Sequence, residues 1–412
     1  VSAGFALIHV VASEPHFVDH LAPIWEALPE QVRGNFYCGS PERRNELALI
    51  RAREYHGIRA KPGYLPSGSR GLCLVGAVGD LSRARSNSPR MRFAFTEHGC
   101  GITYEGGGAS YVGSTKRPNV DLILVPNLLS KRIQDRATPE IEVISIGSSP
   151  RLDPWAPGQP AREQSLNRSA QWDPSQPDQA MNRATIALSF HFDCKVVPET
   201  RTALPWYRKK LDLVLDGPWD VIGHGHPRAW PTLKIVYDHW GIEKVRSFDH
   251  VMQRADCYVV DNSSTLYEFA ATGRPVVVLN CPRYRRDVHH GLRFWDHIPG
   301  IQCDSPEDLP GAIELALEDP PELREIREEA VAAVYPQHDG HATDRAVEAL
   351  LAVWERVRVK EFSTRSPVTE YIVRDVEGDI VEAYLVEYEA RTHAKKIGGS
   401  FDSRTQGAAL AI

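Results

Sequence analysis

The chain of 412 residues is too long for one small core and suits two domains plus an extension. Its 42% hydrophobic and 25% charged residues are those of a globular protein, and a net charge of -6 gives no electrostatic case for a nucleic-acid partner. Seven scattered cysteines (Cys38, Cys73, Cys100, Cys194, Cys257, Cys281, Cys303) form no Cys-x-x-Cys pair; this argues against disulfide staples and structural zinc and for a reducing cytoplasm. No apolar run approaches the roughly 20 residues that cross a bilayer, and no signal-peptide pattern opens the chain.

In chain order, Phe5 to Ala12 reads as a buried strand, Phe17 to Leu28 as an amphipathic helix, and Asn35 to Cys38 and Leu72 to Val78 as strands. Arg92 to Thr96 and Asp121 to Val125 add two more strands, and Leu128 to Arg136 is a helix before the strand Ile141 to Ile146. This is the βαβ rhythm of a doubly wound parallel sheet. Pro154 to Asp178, rich in Pro, Ser, Gln and Asn, reads as a linker or exposed excursion.

The rhythm resumes at Thr185 to Phe190 and continues through Val221-Ile222, Lys244-Val245, Cys257 to Val260 and Val276 to Leu279. Helices are predicted over Leu309 to Leu317, Leu323 to Val334 and Ala342 to Val357. The expected division is therefore a Rossmann-like domain over 1–153, a linker over 154–183, a second Rossmann-like domain over 184–358 and an extension over 359–412. In that extension, Tyr371 to Val373 and Ile380 to Tyr388 alternate about Glu377-Gly378 as a β-hairpin would, and the end after Lys395 is expected to be mobile.

The most informative stretch is Asp256 to Asn280. A β-branched run, Cys257 to Val260, leads into the polar turn Asp261-Asn262-Ser263-Ser264 and a helix from Thr265, stopped by Gly273 and Pro275. Hydroxyls and free N–H groups at such a corner suit an anion, and Glu268, one turn further on, is placed to accept hydrogen bonds from a ribose diol. The plain alternative is an ordinary capped helix. A second constellation is Phe95-Thr96-Glu97-His98-Gly99-Cys100, followed by Gly106-Gly107-Gly108, in which His98 ends a strand and the glycines admit close backbone approach. The turn Ser13-Glu14-Pro15 lacks the Gly-x-Gly-x-x-Gly of a dinucleotide site.

Four features occur in order: Gly147-Ser148-Ser149-Pro150-Arg151-Leu152-Asp153, Gly225-His226-Pro227, Asp261-Asn262-Ser263-Ser264, and Asp339-Gly340 with Arg345. Together they resemble the CDP-glycerol glycerophosphotransferase family, the teichoic-acid polymerases and their relatives, whose catalytic part has the two-Rossmann-domain GT-B fold. The chain departs from that pattern at three points. The crossing has one extra residue, Ser189-Phe190-His191-Phe192-Asp193 stands where a Thr-Trp-Arg segment is usual, and Glu268 stands where Asp is more frequent.

The resemblance implies roles. His98 is the base for an acceptor hydroxyl, with a structural histidine bonding a loop carbonyl as the plain alternative and Glu97, Asp80 or His16 as rival bases, and His226, in its protonated form, offsets charge on the leaving nucleotide. Asn262, Ser263, Ser264 and Thr265 hold the donor diphosphate, and Glu268 holds its ribose. His16, Glu97, Gly99, Arg151, His191, His224 and Arg283 are candidate donor or acceptor contacts, with Arg283 in the basic cluster Arg283, Arg285, Arg286. His224-Gly225-His226 has the spacing of a metal pair but lacks a third ligand, so a metal-independent transfer with no cofactor is expected. The first expectation is a glycosyltransferase using a nucleotide-diphosphate sugar, favoured by Glu268 and the His191 segment. The alternatives are a glycerophosphotransferase using a CDP-polyol, an isomerase like the nucleotide-sugar 2-epimerases, and a non-catalytic glycan- or nucleotide-binding protein. The acceptor is left open among glycan, protein and polyol, and homo-oligomerisation stays open as well.

Overall fold

The structure, a computed structural model, describes residues 7–39, 44–100, 119–170, 183–193, 202–282, 297–363, 369–374, 380–384 and 400–405. Strands β1 (Leu7–Val11), β2 (Arg33–Cys38), β3 (Lys61–Pro62), β4 (Gly71–Val75), β5 (Arg92–Thr96), β6 (Val120–Val125) and β7 (Glu142–Ser145) form one parallel sheet in the order β3-β2-β1-β4-β5-β6-β7. A second parallel sheet has the order β10-β9-β8-β11-β12-β13. Its strands are β8 (Thr185–Phe190), β9 (Asp220–Gly225), β10 (Glu243–Lys244), β11 (Cys257–Val260), β12 (Val276–Leu279) and β13 (Ile301–Cys303). In both sheets the order doubles back beside the first strand, β1 or β8, which opens a crevice at the carboxyl ends of the strands.

Continuous apolar runs become central strands because helices cover both faces of the sheet. In β11, Cys257 and Val259 enter one core with Leu188 and Ile313, whereas Tyr258 and Val260 enter the opposite core with Phe248 and Phe269. That second core also takes Cys100, Leu152 and Trp155, so the turn after β5 and the crossing segment are packed into the second sheet's half. Six of the cysteines are buried free thiols; Cys194 lies outside the described residues.

Several boundaries differ from the sequence expectation. The strand expected to reach Val78 ends at Val75, and Val78–Asn87 is a helix that buries Asp80, Leu81 and Ala84. The expected linker contains a helix, Pro160–Ser169, with Pro160 in its first turn, where a missing N–H leaves no bond unmade. Arg162 donates to the Ala271 carbonyl at 2.9 Å, and Ser169 donates to Asp256 at 2.7 Å. Long-range hydrogen bonds of this kind leave no apolar periodicity to read.

Residues from Trp354 onward belong to a second compact unit. There β14 (Thr369–Arg374) pairs antiparallel with β15 (Ile380–Tyr384), as the alternation predicts, while the turn at Glu377-Gly378 lies outside the described residues. A third strand, β16 (Ser400–Thr405), pairs with β14 inside the stretch expected to be mobile. Ladder hydrogen bonds are made by backbone, so small and polar side chains do not forbid them.

Candidate active site

The carboxyl ends of both sheets meet at a cavity of about 420 Å³. The helix Pro15–Ala27 places His16, Asp19 and His20 on one face by its 3.6-residue repeat, and all three line the cavity. The turn after β5 supplies His98, a short helical turn at Pro150–Trp155 supplies Arg151, and the end of β8 supplies Ser189 and His191. β9 contributes His224 and His226, and the corner after β11 contributes Ser263, Ser264, Thr265 and Glu268.

The histidines form a connected set. The His16 ring lies 5.9 Å from His98 and 5.4 Å from His226, and His191 lies 4.8 Å from His226. His98 Nδ1 is 3.2 Å from the Gly76 carbonyl oxygen, which can only accept, so the proton sits on Nδ1 and Nε2 carries the lone pair. His226 is the opposite case. Its Nδ1 accepts the backbone N–H of Arg228 at 3.1 Å, which leaves the proton on Nε2.

Burial pushes His98 and His224 down to about 4, with the Arg228 guanidinium adding to the effect at His98 and that of Arg151 at His224. Burial and neighbouring positive groups hold His16, His20 and His226 well below the ordinary histidine value. Burial and neighbouring positive groups thus favour the uncharged form of all five rings; a protonated His226, the form expected to offset leaving-group charge, requires an opposing charge beside it. An entering anion would reverse the repulsion and raise these values.

The corner after β11 is more self-contained than its sequence suggests. Ser263 Oγ bonds Thr265 Oγ1 at 2.8 Å, Tyr258 OH bonds the same oxygen at 2.9 Å, and the Leu266 N–H donates to the Ser263 carbonyl at 3.2 Å. The helix it opens, Thr265–Ala270, has only 6 residues, so its dipole is short. Gly99 packs directly on this corner. Its φ is +65°, and a Cβ there would stand 2.5 Å from Ser264 Oγ.

Asp261 organises the loop after β8. Its carboxylate accepts the N–H groups of His191 and Ala203 at 2.7 and 2.9 Å and the Thr202 hydroxyl at 2.8 Å. Burial pushes it up to about 6 against these bonds.

Ten of the sequence candidates line this cavity: His16, His98, Arg151, His191, His224, His226, Ser263, Ser264, Thr265 and Glu268. Glu97 does not; its Oε1 accepts from Gln134 Nε2 at 2.6 Å, because the strand ends with this side chain on the opposite side from His98. Asn262 is buried behind the corner, and Gly99 contributes backbone fit in place of a lining side chain. Arg283 and the glycines 106–108 lie outside the described residues. The first and last sequence features meet each other away from the cavity: Asp153 accepts the N–H groups of Ala342 and Thr343 at 3.0 and 2.8 Å, and Arg345 donates to the Ile146 carbonyl at 2.7 Å.

Sequence reading missed Asp19, His20, Arg51, Ser247 and Asp249. Asp19 and His20 were legible as polar interruptions on the buried face of the first helix, and Ser247 as the N-cap of Phe248–Arg254. Arg51 carries no local signal. Among the described residues, no three His, Cys, Asp or Glu side chains are arranged to hold a metal ion, and no helix is long and apolar enough to cross a membrane.

Comparison with known proteins agrees with this architecture. The model of the CDP-glycerol:poly(glycerophosphate) glycerophosphotransferase family matches residues 223–352, which include His226, the β11 corner and Glu268. A histidine variant of the wall teichoic acid polymerase TagF soaked with CDPG superposes with a TM-score of 0.56 at 12% identity, over 85% of this chain and 89% of that one. A UDP-N-acetylglucosamine 2-epimerase superposes with a TM-score of 0.52 at 14% identity, over 85% and 97%. The UDP-GlcNAc 2-epimerase from Neisseria meningitidis bound to UDP-GlcNAc gives 0.50 at 14%, over 84% and 100%. No curated protein matches the chain in sequence. At such identities the structural likeness speaks for the fold alone. The chain is a GT-B-type α/β protein of the transferase class that resembles the CDP-glycerol glycerophosphotransferase family.

Proposed function

We propose that the cavity binds a nucleotide-diphosphate donor and passes a polyol phosphate of the glycerophosphate kind to an acceptor hydroxyl. The observation that carries this is the opposed protonation of His98 and His226 in one cavity. His98 Nε2 takes the hydroxyl proton as the acceptor oxygen forms its bond to the phosphorus that bears the polyol. The bridging P–O bond breaks, and the nucleoside monophosphate leaves with His226 Nε2–H donating to its oxygen. Arg228 supplies positive field at His98 and His226. The chemistry is proposed without a resident metal, since no ligand set converges among the described residues.

Sugar transfer remains the second reading, supported by Glu268 and by two fold relatives named for UDP-GlcNAc or its 2-epimerase. The family match over residues 223–352 moves the preference to polyol phosphate. The two differ in their leaving group. Sugar transfer breaks the bond at the anomeric carbon and releases a nucleoside diphosphate, whereas glycerophosphate transfer releases a monophosphate. The test is calorimetric titration with CDP and UDP, with and without magnesium, followed by nucleotide analysis after turnover of CDP-glycerol and UDP-sugars. Release of CMP supports the proposal; release of UDP alone replaces it with the sugar reading; absence of nucleotide binding removes both.

A further inference from the structure

The cavity wall carries a charge cluster in which carboxylates outnumber guanidiniums. Two guanidiniums, Arg51 and Arg151, face three carboxylates, Asp19, Asp249 and Glu268, and His56 Nε2 lies 3.1 Å from Asp19 Oδ1. Arg51 bonds Asp19 through Nε, Asp249 through Nη2 and Ser247 Oγ at 2.7 Å. Arg151 gives Asp249 two bonds at 2.7 and 3.0 Å and reaches both Asp19 and Glu268 only at 3.4 Å. Glu268 thus holds the weakest share of positive charge, and its side chain is also the most enclosed, 1% exposed against 6% for Asp19 and 25% for Asp249.

The remaining groups around Glu268 offer no compensating cation. His20 Nε2 lies 3.8 Å from Glu268 Oε1 and is held neutral by burial, and burial pushes the Tyr258 and Tyr335 hydroxyls above their ordinary value. Burial, with Asp249 and Asp19 adding to it against Arg151, pushes Glu268 up to about 7. For Asp249 burial acts the same way, but Arg151 and Arg51 prevail and hold it below the usual carboxylate range.

Glu268 lines the cavity together with Ser263, Ser264 and Thr265 of the donor corner, and Ser264 Oγ and Glu268 Oε1 both face Gly99, 2.5 and 3.6 Å from where a Cβ on it would stand. On the reading that this corner holds a diphosphate, an ionised carboxylate would repel the ligand, whereas a carboxylic acid would donate a hydrogen bond to it. We infer that Glu268 meets the phosphate-bearing donor as an uncharged carboxylic acid, and that Asp19 is the positioning residue that keeps it so by drawing Arg51 and Arg151 to itself. This rests on the donor reading above and changes the ribose-accepting role that the sequence suggested for Glu268.

The test uses the full chain, CDP as the probe, and the variants Glu268→Gln, Glu268→Ala and Asp19→Asn. Glu268→Gln, an isosteric neutral donor, should bind CDP within about threefold of wild type at pH 6, while Glu268→Ala loses about tenfold. From pH 6 to 8.5 the wild-type affinity relative to Glu268→Gln should fall about tenfold as the acid ionises. Asp19→Asn should lower the midpoint of that fall, because the freed guanidinium favours the ionised form. A second readout needs no ligand. A raised carboxyl value contributes stability that is full below the unfolded value and lost as pH rises through about 7, so wild type should lose thermal stability relative to Glu268→Gln between pH 5 and 8. If Glu268→Gln binds CDP as weakly as Glu268→Ala, or the stability difference is constant with pH, the inference is overturned. An unmoved midpoint in Asp19→Asn removes the positioning role. A wild type that binds no nucleoside diphosphate overturns the donor reading itself, an outcome distinct from either.

Discussion

His98 and His226 present opposite hydrogen-bonding faces within one cavity: Nδ1 of His98 donates to the Gly76 carbonyl at 3.2 Å, and Nδ1 of His226 accepts the Arg228 N–H at 3.1 Å. The first ring keeps a lone pair on Nε2, the second a proton. Backbone fixes both states, so neither depends on the ligand to choose a tautomer.

Replacing His98 by Ala should lower transfer by at least about 100-fold while CDP affinity changes only a few-fold, because a base acts on the acceptor and not on nucleotide binding. Steady-state kinetics beside calorimetry checks this; a proportional loss of both would assign His98 to binding.

The pH profile follows from the same ring. His98 works uncharged, and burial pushes it down to about 4, so kcat/KM should persist as pH falls through the ordinary histidine range. An acid limb near or above pH 6.5 would show that another group limits the reaction.

Gly99→Ala combines a strained backbone with a collision, since φ is +65° and the new Cβ would meet Ser264 Oγ at 2.5 Å. It should cost about 1–2 kcal/mol of stability and weaken CDP binding together, measured by urea unfolding and titration. Unchanged affinity would separate this turn from the donor corner.

Asp261→Ala removes the acceptor for three donors, the N–H groups of His191 and Ala203 and the Thr202 hydroxyl. A loss of about 2–4 kcal/mol is expected in chemical unfolding. A loss below about 0.5 kcal/mol would mean that the loop finds other acceptors.

Arg51→Met leaves the buried Asp19 and the half-buried Asp249 with one guanidinium between them, and removal of one partner from such a cluster costs about 3–5 kcal/mol. Equilibrium unfolding tests this, and a stabilised variant would show that desolvation outweighs pairing here.

The central strands of both sheets and the residues that end them were legible in local pattern, whereas the short edge strands at Lys61–Pro62 and Ile301–Cys303 were not. Runs such as Cys257 to Val260 and Val276 to Leu279 are legible because burial on both faces demands continuous apolar residues, and His98, His226 and Ser263-Ser264 are legible because they follow such runs at carboxyl ends. The surroundings of those residues come from distant segments of the chain. The tautomers of His98 and His226 depend on the carbonyl of Gly76 and the N–H of Arg228. The charge state of Glu268 depends on Asp19, Arg51, Arg151 and Asp249, which come from four separate segments of the chain. Glu97 and Asn262, adjacent in sequence to cavity residues, are turned away by their places beside the strand ends. Local pattern fixes which side chains a strand carries to the crevice. Protonation, pairing and strain are set by low-dielectric contacts between distant segments, and these have no local signature.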